Sequence, residues 1–410
     1  MLDSDLRRRH QRDSTGHHRH GRSRPAPREA AQVASINRRR IMDFSLSEEQ
    51  QAVSELANRI MGDRLDMERL MEIEAADEWF DRDLYGELAA AGLVGIGLDE
   101  DVGGGGLDLI AVGQVLEAQG RHVAPLPLWS GMLAALAVDA FGSDEQRQQE
   151  LPGCADGSNV LTLGVQEYLN DDITNPTARV VDGKMVGTKE VVEFAAESSK
   201  IVVVAGLDDG TDNGIISGTG LFLVDLSDPG ITMEAGMSTR LQPVHQVSFY
   251  GVGCEPLGDA DGASVAWLAD RAVALLCATQ VGVVDRALRL AADYTSEREQ
   301  FGRPVATFQA VTQRLADQFM HVEAVRLCTN AVLYDLNEGN DASLRLPIAK
   351  WYASHWAHDV AHATQHVHGG MGVSIDYPLH RYTLWNKHIE CSLGAGTQQL
   401  RTLGAQLAAS

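Results

Sequence analysis

The chain has 410 residues, 44% of them hydrophobic and 22% charged, enough for two or three domains of ordinary size. That composition excludes a collagenous or wholly disordered chain, and no continuous run reaches the roughly 18 apolar residues of a membrane span. The net charge of −23 is uneven: residues 1–41 hold eleven arginines against four acids, a net of +7, which leaves −30 on the rest and argues against nucleic-acid binding by that part.

Residues 1–41 are rich in Arg, His, Ser and Pro and lack apolar periodicity. Such a stretch buries too little to offset its ordering entropy, so a disordered basic leader is expected. It reads as sequence upstream of a start at Met42, as a transit peptide, or as a basic arm. The five cysteines, Cys154, Cys254, Cys277, Cys328 and Cys391, form no CxxC pair and fit reduced thiols in a cytoplasmic protein.

From Ser45 the pattern turns helical. Ser45 and Ser47 offer N-caps ahead of Glu48 and Glu49, and Val53, Leu56, Ala57 and Ile60 recur at helical spacing. Further helices are predicted over 82–91, 109–119, 128–141 and 144–151, which makes 42–152 an all-helical domain. The run Gly103–Gly106 lacks the Lys-Ser/Thr of a phosphate loop and reads as a structural turn.

Between 153 and 260 short β-rich runs take over: Val160–Leu163, Ala178–Val181, Ile201–Val204 and Leu221–Val224. Turns such as Asp182-Gly183 and Asp228-Pro229-Gly230 separate them, which predicts an antiparallel barrel or sandwich. Over 261–410 long helical patterns return, at about 265–290, 308–336, 343–367 and 383–408, and predict a four-helix bundle. The fold class expected is α+β in the order helical domain, β domain, helical bundle.

Two motifs fall in the bundle. Ser296-Glu297-Arg298-Glu299-Gln300-Phe301-Gly302-Arg303-Pro304 leads on to Phe308-Gln309, and His366-Val367-His368-Gly369-Gly370-Met371-Gly372 is followed by Tyr377-Pro378. With the three-part order, they resemble the acyl-CoA dehydrogenase family over nearly all of 42–410. The resemblance implies FAD, an acyl-CoA substrate and an electron-transfer flavoprotein as acceptor. It places Arg298, Phe301, Gln309, His366, Gly369, Gly370 and Thr397 at the cofactor. Arg298 would face the pyrophosphate with paired charge-assisted donors. The bare backbone of Gly369 and Gly370 would let the cofactor approach.

The departures from the family pattern are as informative. Histidine stands at 366 where the family usually has glutamine. The family's T-E-P-x-A-G-S-D-like loop and W-x-T-like strand, which cover flavin and thioester, are replaced by Val165–Asp172 and Thr188–Val192. α,β-Dehydrogenation needs a carboxylate to remove the α-proton while the β-hydrogen leaves as hydride. Both usual base positions hold alanine, Ala395 and Ala272, and Asp270, Glu255 and Glu390 are poorly placed to substitute. No catalytic residue is therefore assigned.

Because the family builds its FAD site across a subunit interface, this pattern fits the base-lacking subunit of a heteromer with a paralogous partner, as in actinobacterial sterol side-chain catabolism. A homo-oligomer, a flavin monooxygenase of the same fold, which needs no such base, and a non-catalytic relative are the other readings. His355, His358, His362 and His366 make one helical stripe, but no HExxH pattern accompanies it and no metal is expected.

Overall fold

The computed structural model describes residues 45–76, 79–170, 172–208 and 216–409; the basic leader lies outside them. The first helices form where capping chemistry starts them. Helix α1 (Glu48–Arg64) opens on a capping box in which Ser47 and Gln50 exchange side-chain and backbone bonds, and it buries Val53, Ala57 and Met61. Helices α2 (Met67–Ala75) and α3 (Arg82–Ala90) are capped by Asp66 and Asp81. Helices α4 (Leu109–His122), α5 (Leu128–Phe141) and α6 (Asp144–Asp156) complete the region, and α4 and α5 are buried along most of their lengths.

Among the described residues eight strands follow, β1 (Leu161–Gly164), β2 (Arg179–Val181), β3 (Lys184–Glu193), β4 (Lys200–Asp208), β5 (Ile216–Asp225), β6 (Ile231–Met237), β7 (Pro243–Gly253) and β8 (Glu255–Leu257). Their order is β6-β7-β3-β2-β4-β5-β8, with β1 also on β4. Most pairings are antiparallel, but β1 and β2 both run parallel to β4. These two pairs join strands that are not consecutive, so the chain crosses over instead of turning back in a hairpin. Strand alternation splits the core. Ile201, Val203 and Ala205 of β4 meet Phe249 and Val252 of β7 in one cluster, while Val202 and Val204 face the helices in another.

The C-terminal region is α7 (Ala263–Glu297), a ribbon of β9 (Glu299–Gln300) and β10 (Arg303–Pro304), then α8 (Gln309–Asn337), α9 (Arg345–His368), α10 (Leu379–Cys391) and α11 (Gly396–Ala409). The last helical stretch expected is thus broken in two, because Leu393 (φ 54°) and Gly394 (φ 88°) adopt left-handed backbone. By length and composition α7 could cross a membrane, yet most of it is buried as the core helix of this fold. It crosses α4 at glycine contacts: a Cβ on Gly120 would lie 2.0 Å from the Thr279 carbonyl oxygen, and one on Gly282 would lie 1.9 Å from that of Glu117. Arg121 and Arg326 then bridge Glu117 and Asp285 around the crossing.

Candidate functional site

Arg298 ends α7, and its carbonyl accepts from Val305 N at 2.8 Å, which closes the β9–β10 ribbon. Between these strands Phe301 (φ 55°) and Gly302 (φ 77°) form a two-residue turn with both φ values positive. Glycine tolerates this; phenylalanine is strained there, and its ring is 93% exposed. Arg298 is exposed and forms no ion pair with Glu297, Glu299 or any other described carboxylate. The local salt bridge that Ser296–Glu299 offers is not made. Gln309, also exposed, opens α8 immediately after Phe308.

The second motif ends α9. His368 is buried, bonds the Thr364 carbonyl through Nδ1 at 2.7 Å, and meets the Tyr377 hydroxyl through Nε2 at 3.1 Å. The first bond makes Nδ1 the protonated nitrogen, so Nε2 accepts from Tyr377. Its ring stacks on Tyr294 at 4.4 Å. Tyr294 lies one turn before Arg298, so the glycine turn and the Arg298 ribbon belong to one neighbourhood. Gly369 has φ 60° and ψ −137°, a conformation open essentially only to glycine. A Cβ on Gly369 or Gly370 would meet nothing within 4 Å. His366, next to this turn, is exposed.

Thr397 does not join them. It sits in the first turn of α11, where a Cβ on Gly396 would lie 3.3 Å from Trp351, and Trp351 lies fifteen residues before His366 on α9. At 1.5 Å per residue, about 22 Å of helix separates the two. Ala395 is exposed in the turn before α11, and Ala272 is wholly buried, its carbonyl accepting from Trp129 Nε1 at 3.1 Å. Two of the three substitute acids are otherwise engaged. Glu390 pairs with Lys387 at 2.7 Å and His358 at 3.1 Å, and Glu255 accepts from Gln146 at 3.0 Å. Burial pushes the Asp270 carboxyl upward.

The β side holds groups that periodicity did not reveal. Glu167, in the loop that replaces the family's flavin-covering motif, is turned inward. It accepts from Lys189 Nζ (2.6 Å), Thr177 N (2.6 Å), Thr177 Oγ1 (2.7 Å) and Ala178 N (2.9 Å). Burial opposes its charge, but Lys189 and these donors hold the carboxyl down to about 2. A second buried cluster joins three elements: Arg240 Nη2 lies 2.5 Å from Glu193 Oε1, His388 Nε2 lies 3.8 Å from it, and the guanidinium stands over Trp385. The void beside Arg240 and Trp385 is about 20 Å³, room for one water. The only signal in the sequence was a charge at an inward-facing strand position.

The histidine stripe packs as rings, His355 on Trp351 and His358 on His362, and no described group of three or more His, Cys, Asp or Glu side chains is arranged to hold a metal.

Comparison with known proteins gives the family. Residues 47–158 match the acyl-CoA dehydrogenase N-terminal domain and residues 266–408 the C-terminal domain. FadE27 of Mycobacterium tuberculosis is 33% identical over 90% of this chain and 99% of its own, and FadE28 of the same organism is 30% identical over 89% and 99%. A structure of the Tcur3481–Tcur3483 steroid ACAD is 40% identical over 89% of this chain and 100% of that one, with a TM-score of 0.83. The ChsE4–ChsE5 complex from Mycobacterium tuberculosis is 31% identical over 90% and 100%, also with a TM-score of 0.83. The chain therefore belongs to the acyl-CoA dehydrogenase family, whose members are FAD-dependent oxidoreductases.

Proposed function

We propose that this chain is the subunit of a heteromeric acyl-CoA dehydrogenase that lacks the catalytic carboxylate and completes the FAD site of a paralogous partner. The observation that carries the reading is Arg298, an exposed guanidinium without an ionic partner among the described residues, beside a strained, exposed Phe301. Both suit a cofactor held largely by another chain, and so does the open space at Gly369 and Gly370. Alanine at 395 and 272 leaves proton abstraction to the partner. The Glu167–Lys189 ion pair joins the loop and strand in which the family's flavin-covering motifs are replaced, and Glu193–Arg240 is buried beside it. The steroid ACAD and ChsE4–ChsE5 relatives support a steroid-type acyl-CoA thioester as substrate. An electron-transfer flavoprotein is the proposed acceptor and the cytoplasm the proposed location.

Bound FAD supplies the hydride acceptor. Arg298 would place paired donors on its pyrophosphate, Phe301 would cover the dinucleotide and exclude water from it, and Gln309 and His366 would donate hydrogen bonds to it. Gly370 admits the cofactor to backbone distance. Exposed Phe319, Met320 and Leu327 on α8 and Val373 and Ile375 after α9 supply apolar surface for the partner.

The test is flavin content and turnover of the chain purified alone and co-purified with its paralogue. The chain alone should hold little flavin and no activity, and the pair should hold both. Arg298→Ala in the pair should weaken FAD binding roughly 10- to 100-fold, the value of a lost charge-assisted contact. Stoichiometric flavin and full turnover in the lone chain would refute the proposal.

A further inference from the structure

A cavity of about 350 Å³ opens between the ends of α1 and α4, the starts of α2 and α10, and the middle of α7. Its polar lining is Arg121, Arg286, Arg381, His122, Tyr382 and, at the exposed rim, Asp66. Two of the three guanidinium groups are neutralised within the chain. Arg121 pairs with Asp285 at 2.6 Å, and Arg381 grips Glu74 through Nε and Nη2. The remaining nitrogen of Arg381, Nη1, has only the thioether sulfur of Met67 at 3.1 Å, a weak acceptor.

Arg286 differs from both. It is half-buried and forms no ion pair with any described carboxylate. The Tyr382 hydroxyl, which itself donates to the Arg121 carbonyl at 2.8 Å, faces it. A guanidinium has five donors, and one phenol oxygen leaves most of them unused. His122 adds no charge: burial first, then Arg121 and Arg286, lower its imidazole to about 4. Helix α10 starts at the cavity without a side-chain cap, whereas α2 is capped by Asp66.

We propose that this cavity binds a small oxyanion, a phosphate or carboxylate group, with Arg286 as its principal donor, the free nitrogen of Arg381 and the start of α10 in support. Such a ligand would tie the N-terminal helices to the bundle, since the cavity wall comes from both. The site lies apart from the Arg298 ribbon and the proposal does not depend on how FAD is held.

Isothermal titration of the full chain, alone and co-purified with its paralogue, with inorganic phosphate and separately with sodium acetate, against sodium chloride at matched ionic strength, tests it. Saturable binding of phosphate or acetate is expected, and the tighter of the two identifies the ligand's head group. Arg286→Gln should weaken that binding at least tenfold, and Tyr382→Phe, which removes one hydroxyl and little volume, should weaken it less. The proposal is overturned if neither anion saturates above chloride, or if Arg286→Gln binds as tightly as the natural chain.

Discussion

Two regions of this molecule treat charge in opposite ways. At the ends of α7 and α9, Arg298 projects without an ionic partner and the Gly369–Gly370 backbone lies bare. Within and beside the β-sheet, Lys189 and Glu167 are almost completely buried against each other, and Arg240 and Glu193 likewise. Charge left unpaired at a surface costs little and remains available to a ligand, whereas charge buried in pairs costs desolvation and is useful only if geometry repays it. Under the proposed function the first region acts on something outside the chain, and the second completes the chain itself. That contrast is the physical basis for reading this subunit as a donor to a shared site.

The comparison breaks most visibly at Lys189. Lys189→Met removes one partner of a buried pair and strands the Glu167 carboxylate, so a loss of about 3–5 kcal/mol in unfolding free energy is expected by denaturant titration. Arg298→Ala should leave unfolding unchanged, because nothing described in the chain leans on that guanidinium. A stable Lys189→Met protein would mean that the pair is not what closes the β side.

Acid titration sharpens the same contrast at smaller amplitude. The Glu167 carboxyl is depressed to about 2 in the folded protein, below its unfolded value of about 4.3. A depressed folded value stabilises above the unfolded pKa and loses that contribution as pH falls through the folded one. Stability should decline progressively from about pH 4.5 towards pH 2. Glu167→Gln should start from a lower stability at neutral pH and show a shallower decline over that window, read from thermal melts across the pH series.

How much of this was legible in the sequence follows from how local each interaction is. The Ser47–Gln50 capping box spans four residues, and the start of α1 could be placed from it directly. The Arg298 and Gly369–Gly370 motifs were legible for the same reason. The parallel pairing of β1 and β2 with β4 depends on which distant strand each one meets, and residue pattern carries no direction. The break between α10 and α11 rests on Leu393 entering left-handed backbone, which an apolar periodicity reads through. Glu167 and Lys189 are 22 residues apart, and Arg240, Glu193 and His388 come from three elements, so only the fold assembles them. Thr397 lies apart from the others within the chain. Its motif was recognisable, yet α9 separates it from the other candidate residues.

The smallest expected change in stability is the most discriminating, because adjacent glycines part company. Gly369 needs glycine for its own backbone, so Gly369→Ala should cost roughly 1–3 kcal/mol in the isolated chain. Gly370 has no positive φ, and an added methyl meets nothing within 4 Å of this chain. Gly370→Ala should therefore leave the unfolding free energy within about 0.5 kcal/mol of the natural protein. If the bare backbone at 370 serves a cofactor seated in the partner, the same methyl should lower flavin retention in the co-purified complex. Unaltered flavin retention, with unaltered stability, would make Gly370 dispensable and leave Gly369 a turn residue only.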